Sequence, residues 1–137
     1  MIRDVVDVRP GRPSEATLSC LHVHAGTEPV AVGDAVDCRR CDQAVLPDGL
    51  RLVRTAGPFD EATLPAGLRR THRVGAETWG VLVVRTGTVR LTLQTDPVLD
   101  VVLRAGDRQA IPPLVPHLLE VSGRFELVVE FHAGGPA

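Results

Sequence analysis

Val89-Arg90-Leu91-Thr92-Leu93-Gln94 alternates strictly between apolar and polar side chains. Side chains on a strand point to opposite faces with a period of two, so this stretch predicts a strand with one face buried. Phe125, Leu127, Val129 and Phe131 repeat the pattern towards the C-terminal end. Residues 81–84 and 98–103 are β-branched runs of the kind that fit a pleated, half-buried surface. Turn signals lie between them: Thr86-Gly87-Thr88, Asp96-Pro97, Ala105-Gly106-Asp107 and Ser122-Gly123. Short strands at such spacing, with little helical period, predict an all-β sandwich or closed barrel. Residues 58–64 are expected to form a helical turn, and the tail, residues 133–137, to be loose.

Upstream of this region the character changes. Leu46-Pro47-Asp48-Gly49 is a turn signal, and it divides the chain into an N-terminal unit, residues 1–45, and a barrel, residues 46–132. The first unit reads as short strands, Ile2–Val8, 15–20 and 30–36, broken at Pro10-Gly11, Pro13 and Gly33-Asp34. So small a unit buries too little surface to fold without a staple. The staple is visible. All three cysteines of the chain, with two of its five histidines, fall in Cys20-Leu21-His22-Val23-His24 and Cys38-Arg39-Arg40-Cys41. Two thiols two residues apart grip one ion from a tight turn, and a second Cys/His knuckle completes a tetrahedron. Cys20, Cys38 and Cys41 supply three corners. The fourth is His22 or His24, with His22 favoured because a knuckle turn brings it and Cys20 to the same ion. Four protein ligands make a closed, structural site, and zinc is the expected ion. The competing readings are three buried cysteines acting as small hydrophobes and a redox Cys-x-x-Cys pair, which normally opens a helix in a βαβ unit not visible here.

Composition narrows the function. The chain has 137 residues, 44% apolar but only 3% aromatic, with a formal charge of −2 and a pI near 6.2. A core of Val, Leu and Ala is implied, and no basic face for nucleic acid or anionic membrane. No uncharged apolar run approaches the roughly 18 residues of a membrane span. Met1-Ile2-Arg3-Asp4 has early charges and no apolar h-region, which predicts no secretory leader. Three cysteines are an odd number for a disulfide framework, and a reducing, cytoplasmic setting is expected.

Two resemblances follow from these motifs. Leu18-Ser19-Cys20-Leu21-His22, with Val32-Gly33-Asp34-Ala35-Val36-Asp37-Cys38-Arg39-Arg40-Cys41-Asp42, resembles a small bacterial zinc-ribbon or knuckle-like domain of unknown function. That family carries a Cys-Gly-His knuckle and then a Cys-x-x-Cys-Asp. The resemblance implies Cys20, His22, Cys38 and Cys41 as zinc ligands; its knuckle Gly is Leu21 here, and its longer His-rich insert is shortened to residues 24–29.

The second rests on Leu64-Pro65-Ala66-Gly67-Leu68-Arg69-Arg70-Thr71-His72, then Thr78-Trp79-Gly80-Val81-Leu82-Val83-Val84-Arg85-Thr86-Gly87-Thr88-Val89. It continues in Gly106-Asp107-Arg108-Gln109-Ala110-Ile111-Pro112-Pro113-Leu114-Val115-Pro116-His117 and Val129-Glu130-Phe131. This order resembles the cupins, and more closely the cupin-like domain at the N-terminus of tellurite-resistance methyltransferases (tellurite-resistance protein B), which also occurs alone in small nitrate-induced bacterial proteins. It implies a double-stranded β-helix, or jelly-roll barrel, with His72 and His117 as polar groups of its pocket. The chain departs from an ordinary cupin: the metal-binding Glu position falls on Gly80, and the Trp before the second His is Pro116. Glu77, Glu120, Glu130 and His132 are the groups left to complete a site, but Glu130 and His132 have the parity opposite to Leu127, Val129 and Phe131 and are expected to face outward. Trp79 is expected to be a packing anchor. The paired arginines, Arg39-Arg40 and Arg69-Arg70, are expected to be solvated rather than anion-binding; the alternative is that Arg70, which shares the parity of His72, meets an oxyanion.

The expected function is that of a zinc-stapled cupin binding a small molecule, metal or oxyanion in a tellurite- or nitrosative-type stress response. The alternatives are a metal-dependent cupin enzyme (oxygenase, isomerase or hydrolase) and a protein-interaction module. His72 and His117 form the candidate second site, for a ligand or for a second divalent ion (Zn, Fe, Mn or Ni). Methyl transfer is not implied, because the chain has no Gly-rich nucleotide loop. Barrels of this type pair through their sheets, so the resemblance also implies a homodimer.

Overall fold

The computed structural model describes residues 1–71 and 73–134, with Gln43 described by its backbone alone. It divides into two compact units, Met1–Gln43 and Ala44–Ala137. Among the described residues the regular structure is all strand apart from two 3₁₀ turns, Cys41–Gln43 and Ala66–Arg69. Among the described residues no helix is long and apolar enough to cross a membrane.

The first unit is one antiparallel sheet. Its strands are β1 (Ile2–Val8), β2 (Glu15–Leu18), β3 (Val23–Ala25) and β4 (Ala35–Asp37), in the order β3-β2-β1-β4. Val5, Ala16 and Leu18 are its buried apolar face. Two expectations need correction. The strand expected over residues 30–36 occupies only Ala35–Asp37, because Asp34 caps a turn, its carboxylate accepting from the Ala31 amide at 2.9 Å. The strand expected over 15–20 stops at Leu18, since Leu21 adopts a left-handed conformation (φ 69°) that breaks the pleat. The chain then returns as β3, opposite β2.

The second unit holds β5 (Leu50–Asp60), β6 (Thr78–Thr86), β7 (Thr88–Leu93), β8 (Leu99–Arg104), β9 (Arg108–Ile111), β10 (His117–Val121) and β11 (Glu126–Gly134). They form a three-stranded sheet, β10-β7-β8, and a four-stranded sheet, β5-β11-β6-β9. The alternation read in residues 89–94 sets the register of the smaller sheet: Leu91 pairs with Leu119 on one side and with Val101 on the other. Partners directly opposite share a face, so the apolar sides of three strands coincide. Gly87 (φ 77°) takes the chain from β6 in one sheet to β7 in the other; a Cβ there would lie 2.3 Å from the Arg124 carbonyl oxygen, so no other residue fits. Val84, Val89, Leu103 and Leu127 are all within 1% of full burial and belong to the packed interior. The segment entering β5 is anchored where the Gln109 side-chain amide donates to the Ala44 carbonyl at 3.1 Å.

Residues 58–64 are only partly a helical turn. Residues 58–60 complete β5, and the turn follows at 61–63, with the Leu64 amide donating to the Asp60 carbonyl at 3.0 Å. The tail is shorter than expected, because Ala133 and Gly134 belong to β11 and pair with Arg51 and Leu50; residues 135–137 lie outside the described residues.

Candidate metal centre and ligand cavity

Two knuckles build the metal centre. The first follows β2: the Leu21 amide donates to Leu18 O at 2.8 Å, and the Leu18 amide to His22 O at 2.9 Å, folding Cys20 and His22 towards the same point. The second follows β4, where the Cys38 amide donates to Met1 O at 2.8 Å and the Asp42 amide to Arg39 O at 3.1 Å. One donor atom each from Cys20, His22, Cys38 and Cys41 falls within a group no more than 4.8 Å across. The Cys20 and Cys38 sulfurs are 3.7 Å apart, too far for a disulfide. His22 Nδ1 is 3.4 Å from both the Cys38 and the Cys41 sulfur. A tetrahedral ion with ordinary zinc bond lengths requires S···S near about 3.8 Å and S···N near about 3.6 Å, so these four donors could hold a metal ion. His24 is elsewhere, in β3 opposite Ala16, with its ring against Gly26.

The electrostatics fit a cation at the same place. The three cysteines are 4% exposed or less. The Cys41 thiol donates towards Cys20 and pushes Cys20 down to about 5. That shared proton, together with burial, pushes Cys41 up against the opposing pull of Arg3, and burial pushes Cys38 up. Three adjacent thiols do not ionise together unaided, whereas a coordinated divalent cation would favour all three thiolates. Three thiolates and a divalent ion leave one negative charge. Arg3, 4% exposed with its guanidinium beside Cys41, supplies the matching positive charge.

The second site is a cavity of about 470 Å³ in the second unit, lined from both of its sheets. Its walls are the inward faces of both sheets, among them Ala56, Leu82, Leu91, Ile111, Leu119 and Val129. His117 also lines it, on the same face as Leu119 as its strand parity requires, and is 3% exposed. Its Nδ1 lies 3.1 Å from the Val115 carbonyl; a carbonyl only accepts, so Nδ1 carries the proton. His72, its expected companion, lies outside the described residues.

No carboxylate stands among the described lining residues. At Gly80, where the resemblance puts the cupin Glu, a Cβ would make ordinary van der Waals contact with Ile111 Cβ and Val74 Cγ2 at 3.4 Å, so the surroundings of that position are apolar. Glu77 and Glu120 are exposed and do not line the cavity. Glu130 and His132 are bound to each other at 3.0 Å, and Glu130 accepts two hydrogen bonds from Arg108, at 2.6 and 3.2 Å. Trp79 is partly buried and pairs with His132, not with the cavity wall. Arg70 is exposed outside the cavity. The cationic groups that do line it, Arg54 and Arg73, were not singled out by the sequence. Arg54 sits directly across from Phe131, its guanidinium carbon 4.5 Å from that ring's centroid.

A family model of the TehB-like domain matches residues 54–129, from β5 into β11. The chain belongs to the TehB-like family. The match takes in the cavity strands and leaves the cysteines outside. Two solved structures share the fold. One is a protein from E. coli (strain K12), 19% identical with TM-score 0.60, over 67% of this chain and 98% of that one. The other is TehB from Haemophilus influenzae, 20% identical with TM-score 0.57, over 64% of this chain but only 32% of TehB, so the chain corresponds to about a third of that protein. No curated protein matches the chain.

Proposed function

We propose that this TehB-like chain is a zinc-clasped, cupin-type jelly-roll protein that binds a small molecule in its barrel. On this reading zinc on Cys20, His22, Cys38 and Cys41 holds the first unit together, and the barrel cavity takes the ligand, as part of a cytoplasmic stress response of the tellurite or nitrosative type. The observation that carries binding rather than catalysis is the cavity itself: it is walled by aliphatic groups, and its described lining offers one imidazole and no carboxylate. Catalytic metal sites normally offer three protein ligands. Pairing of two copies through their sheets belongs to the same reading. It is supported by β5, an edge strand on which Leu52 and Val53 are each more than half exposed.

A metal-dependent enzyme is the second reading, favoured by one observation. An imidazole whose Nδ1–H is held by a backbone carbonyl, as His117 is by Val115, presents Nε2 in the way metal-ligating histidines do.

Elemental analysis of the purified chain and two variants tests both. The expected result is one zinc per chain, lost in Cys38→Ser and kept in His117→Ala. A second ion that disappears in His117→Ala establishes the enzyme reading instead. Folded wild type without zinc ends the clasp.

A further inference from the structure

We infer that the barrel cavity takes an organic monoanion with an apolar body, a carboxylate on a hydrocarbon or aromatic frame, with its head on Arg54 and Arg73. This rests on the reading of the cavity as a ligand site and names the class of ligand.

The charge comes first. The chain as a whole is slightly acidic, at −2, yet the charged groups lining the described cavity are two guanidiniums and no acid. Other arginines of this unit have partners: Arg90 pairs with Asp100, and Arg108 with Glu130. Arg54 and Arg73 make no ion pair with any described acid. Arg54 is also placed. It stands over Phe131, which holds the guanidinium at the cavity by cation–π attraction and leaves its hydrogen-bonding edge available. A planar fork of N–H donors matches a carboxylate in two-point fashion, which a metal cation cannot exploit.

The walls then decide between anions. Leu82, Leu91, Ile111 and Leu119 are 5% exposed or less and face the cavity, whereas Arg54 and Arg73 are exposed. The site is thus cationic at its solvent side and aliphatic in its depth. Its volume falls within the range of about 300–1,000 Å³ that small-molecule sites occupy. A small inorganic oxyanion would fill little of it and leave water against hydrocarbon. An apolar body buries that wall, at about 25 cal/mol for each Å² removed from water. Head and tail are therefore both specified.

Titration calorimetry on the full, zinc-loaded chain tests this with octanoate, octanamide, acetate, nitrate and tellurite as probes. Octanoate should bind at least about tenfold more tightly than octanamide, which lacks the charge, and than acetate, which lacks the body. Arg54→Gln or Arg73→Gln should weaken octanoate by about tenfold and leave octanamide unchanged. Both side chains are exposed, so unchanged melting curves will show that the variants remain folded. Octanamide binding as well as octanoate, or an octanoate affinity indifferent to both arginines, overturns the inference. So does tellurite or nitrate binding where octanoate does not, although the cavity would then still be a ligand site. If no probe binds and a metal ion loads the cavity through His117, the ligand-site reading falls with it.

Discussion

The cysteine cluster and the barrel cavity solve opposite problems. The cluster draws its four donors from residues 20–41, gathers them within 4.8 Å and buries its three cysteines. The cavity draws its walls from strands of both sheets, β5 to β7 and β9 to β11, and keeps charged side chains at a solvent-facing edge. The difference shows what each can do. A closed, neutralised donor set gives its binding energy to folding. A wide apolar space edged by cations that pair with no described acid gives its binding energy to a guest. Substitutions should separate the two regions sharply.

The largest effect belongs to the cluster. Structural zinc in small domains contributes apparent binding free energies of about 10–16 kcal/mol, far more than a sheet of four short strands provides. Cys41→Ser should abolish ordered structure over Met1–Gln43. The buried core of the barrel, which contains none of these donors, should keep its own melting transition. Amide hydrogen exchange reads this directly: protection in β1 to β4 vanishes and protection in β6, β7 and β11 persists. Equal loss in both units would show that the clasp serves the whole chain.

Within the second unit, buried side chains that line the cavity and those that do not should respond differently. Leu103 is fully buried away from the cavity, and Leu91, at 1% exposed, faces it. Leu103→Ala opens a new void and should cost about 3–5 kcal/mol, whereas Leu91→Ala enlarges space already present and should cost nearer about 2–3 kcal/mol. Denaturant midpoints at equal m-value give the comparison. Equal costs would mean that the cavity is effectively filled.

Much of this contrast was legible in the residues. The alternation over 89–94 and 125–131 gives the strands and their buried faces, and the parity of His117 with Leu119 puts that imidazole inside. Cys-x-His and Cys-x-x-Cys are local signals, since each knuckle is made by neighbours. The arginines were hidden for the opposite reason. Arg54 reaches the cavity only because β5 pairs with β11 in a register that sets it across from Phe131, a residue far away in sequence. Gly57-Pro58 also interrupts the alternation that would have marked Ala56 and Arg54 as one face. Leu21 was legible as a departure from a Gly-containing knuckle, but its left-handed backbone follows from two turn hydrogen bonds that only the structure supplies.

A smaller effect is electrostatic and lies on neither site. Hydrogen bonds from Arg108, and then from His132, hold the Glu130 carboxyl below its ordinary range. Its folded value is thus lower than its unfolded one, so the pair stabilises fully above the unfolded value of about 4.3, and this is lost as pH falls from there through the folded value. Because Arg108 is half exposed, the contribution should not exceed about 1 kcal/mol. Glu130→Gln should therefore flatten the acid limb of barrel stability below that pH and leave it unchanged in shape above. A limb that keeps its slope in the variant assigns the acid sensitivity to another carboxylate.

The finest test puts the same strain in both regions. Leu21 in the first knuckle and Leu114 between Pro113 and Val115 both adopt positive φ, 69° and 61°, and both are more than half exposed. A left-handed backbone costs a residue with a Cβ about 1–2 kcal/mol, and glycine avoids that at an entropic cost of about 0.5–1 kcal/mol. Leu21→Gly and Leu114→Gly should each stabilise their own unit by about 0.5–1 kcal/mol. The gain should appear in different assays: Leu21→Gly as slower loss of the proposed metal to a chelator, because backbone strain there is felt only when the knuckle is closed, and Leu114→Gly as a higher midpoint of the second unit with metal loss unchanged. If Leu21→Gly instead speeds metal loss, the leucine side chain stabilises the closed knuckle by more than its backbone costs, and its place between Cys20 and His22 is an adaptation of this chain.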